Sequence, residues 1–96
     1  MQRVTIAMPS FNEEHYIEAC IASVQAQDYP REQIEILVAD GRSTDRTREI
    51  LARLSAEDPR IRMIDNPARL QAAGLGLLVK EATGDVIVRM DVHAEY

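Results

Sequence analysis

The 96-residue chain is predicted to be an α/β protein: a parallel sheet with helices on both faces, in the order β-α-β-α-β-α-β. Three observations predict it. Short apolar, partly β-branched runs alternate with longer stretches of helical period. The second and fourth of these runs are almost continuously apolar, the pattern of strands covered on both faces. Each run is followed by a polar segment, as expected where loops gather at one edge of a parallel sheet.

The elements follow in order. "VTIAM" at residues 4–8 is the first strand, with Pro9 expected to end it. In "EEHYIEACIASVQAQ" the residues Tyr16, Ile17, Cys20, Ile21 and Val24 fall at helical spacing. A turn at "DYPRE" leads into "IEILVAD", the second strand, at residues 34–40. "TDRTREILARLSAE" places Thr47, Ile50, Leu51 and Leu54 on one helical face. "IRMID" at 61–65 is a third strand, closed by Asn66-Pro67. "RLQAAGLGLLVKEATG" is helical by Leu70, Ala73, Leu77 and Leu78, although Gly74 and Gly76 weaken that pattern. "DVIVRM" at 85–90 is the fourth strand. Strands alternating with helices imply parallel pairing through right-handed crossovers. No internal repeat, linker or low-complexity segment interrupts the series, so residues 1–96 are expected to form one domain, half of a doubly wound sheet.

Composition narrows the function. An apolar fraction of 46% and a charged fraction of 28% describe an ordinary globular chain. No apolar run approaches the roughly 20 residues that cross a bilayer, and the N-terminal run is only strand-length, so neither a membrane segment nor a signal peptide is expected. The formal net charge is −5, and Arg and Lys form no tract, which argues against nucleic acid as a partner. Acidity suits a divalent cation, although on charge alone a solubilising surface is the better account of it. Cys20 is the only cysteine. It excludes an internal disulfide and, on the apolar side of its helix, is expected to be a buried packing residue.

Ligands of open parallel sheets bind outside the carboxyl ends of the strands. That turns the list of strands into a list of candidate sites: "PSFNEE", "DGRSTD", "DNPARLQ" and "DVHAEY". Three of the four begin with aspartate, and the first carries Asn12, Glu13 and Glu14. The helix N-termini that follow favour anionic groups. Asn12 suits a cap of the first helix, and Glu13 and Glu14 suit its positive end. Ser43, Thr44 and Asp45 are expected caps of the second helix. Asp40 has two readings, contact with a base or ribose and stabilisation of the Gly41 turn. His15 is expected on a helix surface. Neither GxGxxG nor GxxxxGK[ST] nor a Gly-x-Ser-x-Gly elbow is present, which removes the physical basis for dinucleotide, P-loop and α/β-hydrolase readings.

In this order and spacing the segments resemble the N-terminal, nucleotide-binding half of family 2 glycosyltransferases. "VTIAMPSFNEE" is similar to the family's opening strand and Pro-x-x-Asn-Glu segment, "EILVADGRSTDRT" to its second strand and Ser-x-Asp-x-Thr continuation, and "GDVIVRMDVH" to the strand entering its Asp-x-Asp motif. The endings "DGRSTD" and "MDVHAEY" look most like the branch that builds bacterial exopolysaccharides, the succinoglycan-type transferases. The resemblance spans essentially the whole chain. It implies a Rossmann-like GT-A fold, present in part, and activity on a nucleotide-diphosphate sugar.

Residue by residue, the resemblance implies that Pro9, Phe11 and Glu13 line the nucleotide pocket and that Asp40 contacts the base or its ribose. Asp91 would contact the ribose or reach a metal, Mn²⁺ or Mg²⁺, which His93 would join it in holding. Two departures matter. Gly41 stands where many members have a second aspartate, and His93 stands where the last Asp of Asp-x-Asp is expected. Imidazole is a poor ligand for Mg²⁺ and an acceptable one for Mn²⁺, so His93 reads as a metal ligand or as an outer-sphere turn residue. Gly76 takes a position where Asn is common and is assigned no role. Arg69 either reaches the diphosphate or is a solvated residue at a helix start.

The resemblance implies direct displacement at the anomeric carbon with inversion. No catalytic base is expected among these residues: it would lie beyond Tyr96, with the half that binds a glycan or lipid-linked acceptor. The 96 residues are thus expected to be a fragment, inactive alone, of a cytoplasmic parent that could sit at the inner face of the membrane. The competing reading is a non-catalytic nucleotide-binding or interaction module of the same architecture. A nucleotidyltransferase would need a Gly-rich, basic first loop, and "PSFNEE" is acidic.

Overall fold

A computed structural model describes residues 2–92. Its elements are β1 (Val4–Ser10), α1 (Ile17–Gln25), β2 (Ile34–Asp40), α2 (Thr47–Glu57), β3 (Ile61–Asp65), α3 (Gln71–Glu81) and β4 (Val86–Arg89). The predicted β-α-β-α-β-α-β order is therefore present. All strand pairs are parallel, in the order β3-β2-β1-β4.

That order determines which face each helix covers. The chain steps from β1 outward to β2 and β3, then returns across the sheet to β4. Right-handed crossovers in opposite directions lie on opposite faces. Side chains alternate between faces with period two. Ile6, Met8, Ile34, Ile36 and Val38 turn to one side and pack with Ile17, Cys20, Ile21 and Val24 of α1 and Leu51 and Leu54 of α2. Ala7, Leu37 and Ala39 turn to the other and pack with Leu78 of α3. The small residues Ala7 and Ala39 let α3 lie close to the sheet. Gly74 continues this, since a Cβ there would meet Ala39 Cβ at 3.4 Å and Asn66 Nδ2 at 2.9 Å. The glycine that weakens α3's propensity is required by its packing. Cys20 is buried beside the Met8 sulfur, as expected, and burial raises its thiol pKa.

Two expectations need correction. β4 was expected to be covered on both faces, like β2. β2 is buried along its whole length, but Val86, Ile87 and Val88 are 37%, 41% and 41% exposed. The returning crossover sets β4 beside β1, and among the described residues β1 is the one strand it pairs with. Pro9 does not end β1. The ladder continues through Pro9↔Ala39 to Ser10↔Asp40. Ala7 accepts the Met90 N–H on the β4 side, so Pro9, two residues on, turns its missing donor to that same side. The β4 ladder ends at Ala7↔Arg89, so Pro9 removes no ladder bond.

At the amino ends of the strands, Glu35 is 4% exposed and accepts hydrogen bonds from Thr5 Oγ1 (2.7 Å), Thr83 N (2.9 Å) and Thr83 Oγ1 (3.0 Å). The Gly84 N–H donates to Thr5 Oγ1 at 2.9 Å, which fixes the entry to β4. This buried polar knot lies at the end of the sheet opposite the candidate site.

Candidate functional site

The loops after β1 and β2 hold each other. Each exposes N–H groups that no helix satisfies, and the short polar side chains of the neighbouring loop accept from them. The Asn12, Glu13 and Glu14 N–H groups donate to Ser43 Oγ (2.8 Å), Thr47 Oγ1 (2.8 Å) and Asp45 Oδ2 (3.2 Å). Asn12 Oδ1 in return accepts from the Thr44 N–H at 2.8 Å. Asp45 also accepts from the Thr47 N–H at 2.9 Å, where α2 begins. Sequence reasoning assigned Asn12, Ser43, Thr44 and Asp45 as caps of their own helices and Thr47 to the apolar face of α2. Asp45 does close the start of α2, but Asn12, Ser43 and Thr47 act across the loops. Period and spacing carry no information about that partnership, because the loops meet only through the β1–β2 pairing.

Asp40 anchors this pair of loops. It is 0% exposed, and its carboxylate accepts four hydrogen bonds: Oδ1 from Ser10 Oγ (2.8 Å) and Ser43 Oγ (2.6 Å), Oδ2 from the Ser43 N–H (2.9 Å) and Arg48 Nε (2.7 Å). Burial alone would raise its pKa. The bonds from Ser43, Arg48 and Ser10 outweigh it and hold the group below the usual carboxylate value. Of its two readings, stabilising the turn is the one this geometry displays. Arg48 continues the network to Asp65 Oδ1 at 2.6 Å, and Arg42 reaches Asp65 Oδ2 at 3.1 Å.

The loops after β1, β2 and β3 each contain one non-glycine residue with positive φ: Asn12 (51°), Arg42 (60°) and Arg69 (61°). Asparagine tolerates this region, whereas each arginine is strained by about 1 kcal/mol or more. The Asn66 C=O accepts the Arg69 N–H at 3.1 Å, and Asn66 Nδ2 donates to the Leu70 carbonyl at 3.0 Å, which holds that turn closed. The result is a cleft of about 150 Å³ at the carboxyl end of the sheet, lined by Pro9, Ser10, Phe11, Glu13, Ala39, Asn66, Arg69, Gln71 and Val92. Phe11 is 45% exposed there, an aromatic face open to a planar ligand. α3 begins at Gln71 with no side-chain cap and no acidic residue in its first turn. Its positive end is therefore uncompensated beside the cleft.

Pro9, Phe11 and Glu13 thus line one cleft, and Asp40 lies beneath it rather than in it. Asp91 directly precedes the cleft residue Val92, and its Oδ1 stands 3.3 Å from the Arg89 guanidinium. His93 lies outside the described residues. Sequence reasoning missed Asn66 and Gln71, and left Arg69 between two readings. "DNPARLQ" was flagged only as a polar strand end, and its Pro and Arg gave no sign of a left-handed turn. Gly41 also becomes intelligible. A Cβ there would sit 3.3 Å from Arg69 Cα and 3.6 Å from Phe11 Cδ1, so glycine lets the Phe11 and Arg69 loops close over it.

For a divalent cation the donor chemistry fits in kind. Asp91 offers hard carboxylate oxygens at the end of β4 and is only partly buried. No group of three or more His, Cys, Asp or Glu residues surrounds a common point among the described residues.

A parallel α/β sheet with a cleft at the carboxyl ends of its strands is an open α/β architecture of the kind that places ligands at that edge. The family can be stated as well: the glycosyl transferase family 2 model matches residues 5–96, and the chain belongs to that family. It is 42% identical over 93 residues to succinoglycan biosynthesis protein ExoA of Rhizobium meliloti (strain 1021), covering 95% of this chain and 28% of that one. It is 36% identical over 96 residues to the dolichyl N-acetyl-α-D-glucosaminyl phosphate 3-β-D-2,3-diacetamido-2,3-dideoxy-β-D-glucuronosyltransferase of Methanococcus voltae, covering 98% of this chain and 30% of that one. The mannosyltransferase PcManGT from Pyrobaculum calidifontis, solved with GDP-Man and Mn²⁺, superposes with a TM-score of 0.91 at 32% identity, covering 99% of this chain and 28% of that one. These neighbours bear out the GT-A fold expected from the sequence. The chain spans under a third of the length of these relatives. No helix among the described residues is long and apolar enough to cross a membrane.

Proposed function

We propose that this chain is the donor-binding part of a glycosyltransferase and that the cleft holds the nucleoside diphosphate of a sugar nucleotide. The observation that carries the proposal is the convergence of Pro9, Phe11, Glu13, Asn66, Arg69, Gln71 and Val92, from three separate strand ends, on one cleft. Phe11 offers a stacking face for the base. Arg69 and the uncapped start of α3 offer positive potential for the diphosphate. Asp40 shapes the pocket by fixing the loops of Phe11 and Gly41, and a base or ribose reached from this side meets those loops first.

Asp91, joined by His93, would hold Mn²⁺ or Mg²⁺ against the diphosphate. When bound, the cation neutralises the charge that develops on the leaving nucleoside diphosphate. The solved mannosyltransferase complex with GDP-Man and Mn²⁺ supports this pairing of nucleotide and metal. The reaction so served is attack by an acceptor hydroxyl at the anomeric carbon, with inversion. None of the residues described is assigned as the base, so the base and the glycan or lipid-linked acceptor belong to further chain. The similarity to ExoA supports exopolysaccharide or cell-surface glycan synthesis.

Thermal shift with UDP and with GDP, each with and without Mn²⁺, tests the proposal. A ligand bound only by the folded state raises its apparent stability by about 2.7 kcal/mol at 100 times its Kd. Metal-dependent stabilisation by one nucleotide, abolished in Asp91→Asn, is the expected result. No response to either nucleotide would favour a non-catalytic interaction module of the same fold.

A further inference from the structure

We propose that Asp65 is a positioning residue for the cleft: its carboxylate latches the left-handed Arg42 turn and so fixes the wall built by Gly41, Phe11 and Arg69. That role rests on reading the cleft as the nucleotide site. Two residues in contact make locally unfavourable choices. Arg42 has φ 60°, a conformation that glycine adopts freely and arginine does not. Asp65 ends β3 in register with Asp40 on the neighbouring strand, and like charges side by side repel. The two choices compensate each other. Arg42 donates from Nε to Asp65 Oδ1 (3.4 Å) and from Nη2 to Asp65 Oδ2 (3.1 Å), a fork on one carboxylate. Arg48 Nη2 donates to Asp65 Oδ1 at 2.6 Å while its Nε holds Asp40 Oδ2 at 2.7 Å, so one guanidinium serves both aspartates.

Neither Arg42 nor Asp65 lines the cleft, yet both adjoin residues that shape it. On one side of Arg42 the Gly41 N–H donates to the Ser10 carbonyl at 2.9 Å, and on the other the Ser43 N–H donates to Asp40 Oδ2 at 2.9 Å. The turn at Arg42 joins these two anchors. A Cβ on Gly41 would stand 3.3 Å from Arg69 Cα and 3.6 Å from Phe11 Cδ1, so the turn leans on two residues of the cleft wall. Beside Asp65, the Asn66 N–H donates to the Asp40 carbonyl at 2.9 Å, and the Asn66 carbonyl accepts the Arg69 N–H at 3.1 Å. The β2–β3 ladder ends at Asp40↔Asp65, and the Arg42–Asp65 pair ties the two loops together beyond it. Both side chains are half exposed and belong to neither core cluster. Such a pair adds little to global stability, but the local opening of a strained turn is a small step that it can govern.

Amide hydrogen exchange of the 96-residue chain and its variants tests the latch with no ligand present. In Asp65→Asn the Gly41, Asn66 and Arg69 N–H groups should exchange about fivefold faster, while the Ile36 N–H, bonded to the Arg60 carbonyl within the sheet, keeps its rate. Adding Arg42→Gly removes the strain that the carboxylate opposes, so D65N/R42G should recover most of that protection. Titration with GDP and with UDP in the presence of Mg²⁺ reads the consequence for the cleft. Asp65→Asn should raise the Kd of whichever nucleotide binds by about fivefold, and the double variant should restore it. Unchanged exchange in Asp65→Asn overturns the proposal. So does an equal acceleration at Ile36, which marks general destabilisation, or a loss that Arg42→Gly fails to recover. If the wild type binds neither nucleotide, the donor-site reading fails, and the exchange pattern alone upholds or overturns the latch.

Discussion

Asp40 is the residue on which the candidate site most depends. It is a charge removed from water, tolerated because four donors surround it. Removing one partner of such a group costs more than the partnership contributes, since the remaining donors are left buried and unpaired. Asp40→Ala is therefore expected to destabilise the fold by about 3–5 kcal/mol in chemical denaturation. If the loss is below 1 kcal/mol, the carboxylate is not the anchor described. Asp40 also shows where sequence reading stops. An aspartate ending an apolar strand before glycine was legible as important, but whether it faces a ligand or the turn was not. That depends on Ser10 and Arg48, which reach it only through strand pairing and a helix crossing. The resemblance implied Phe11 and Glu13 as pocket residues, and both line the cleft because they follow the end of β1. Asn66 was missed because its contribution is a bond to the Leu70 carbonyl inside a left-handed turn.

At the scale of elements, strand limits were easily read where composition changes abruptly: β2 and β3 begin and end at the predicted residues. Helix starts were less legible. α1 begins at Ile17, after a turn in which the Glu13 carbonyl accepts from the Tyr16 and Ile17 N–H groups, so the helical pattern in "EEHY" is tertiary loop structure instead. The exposure of β4 was invisible, since strand order is not encoded in a local apolar run. The glycines sharpen the point, because residue type alone treats alike two positions that differ in space. A Cβ at Gly76 meets nothing within 4 Å, whereas at Gly84 it would lie 2.6 Å from Thr5 Oγ1 and 2.7 Å from Thr5 N. Gly76→Ala should raise stability by about 0.5–1 kcal/mol. Gly84→Ala should lower it by about 1–3 kcal/mol, because the obstructing atoms include backbone. Thermal melts of the two variants check both signs.

For the whole molecule, several carboxylates share one electrostatic condition. Hydrogen bonds from Arg60 lower the pKa of Asp58, which bridges to Gln25 of α1. At Glu35 and Asp40 burial pushes upward, but their hydrogen bonds prevail and the net shift is downward. A folded pKa below the unfolded one contributes stability that is complete above the unfolded value, about 3.9 for Asp and 4.3 for Glu, and is lost as pH falls through the folded value. The melting temperature is therefore expected to be level from about pH 8 to pH 5 and to fall steeply below about pH 4. These three groups sit at the candidate site, at the opposite end of the sheet and at the end of α2, so acid should loosen all parts of the molecule together.

The central claim is that the carboxyl edge of the sheet binds a nucleoside diphosphate. The most direct measurement is an amide-resolved NMR titration of the chain with GDP and with UDP in the presence of Mg²⁺. The predicted result is saturable shifts at Phe11, Gly41, Arg69, Gln71 and Val92, with Thr5, Glu35 and Gly84 at the other end unmoved. Saturable shifts confined to that other end, or none with either nucleotide, would contradict the account.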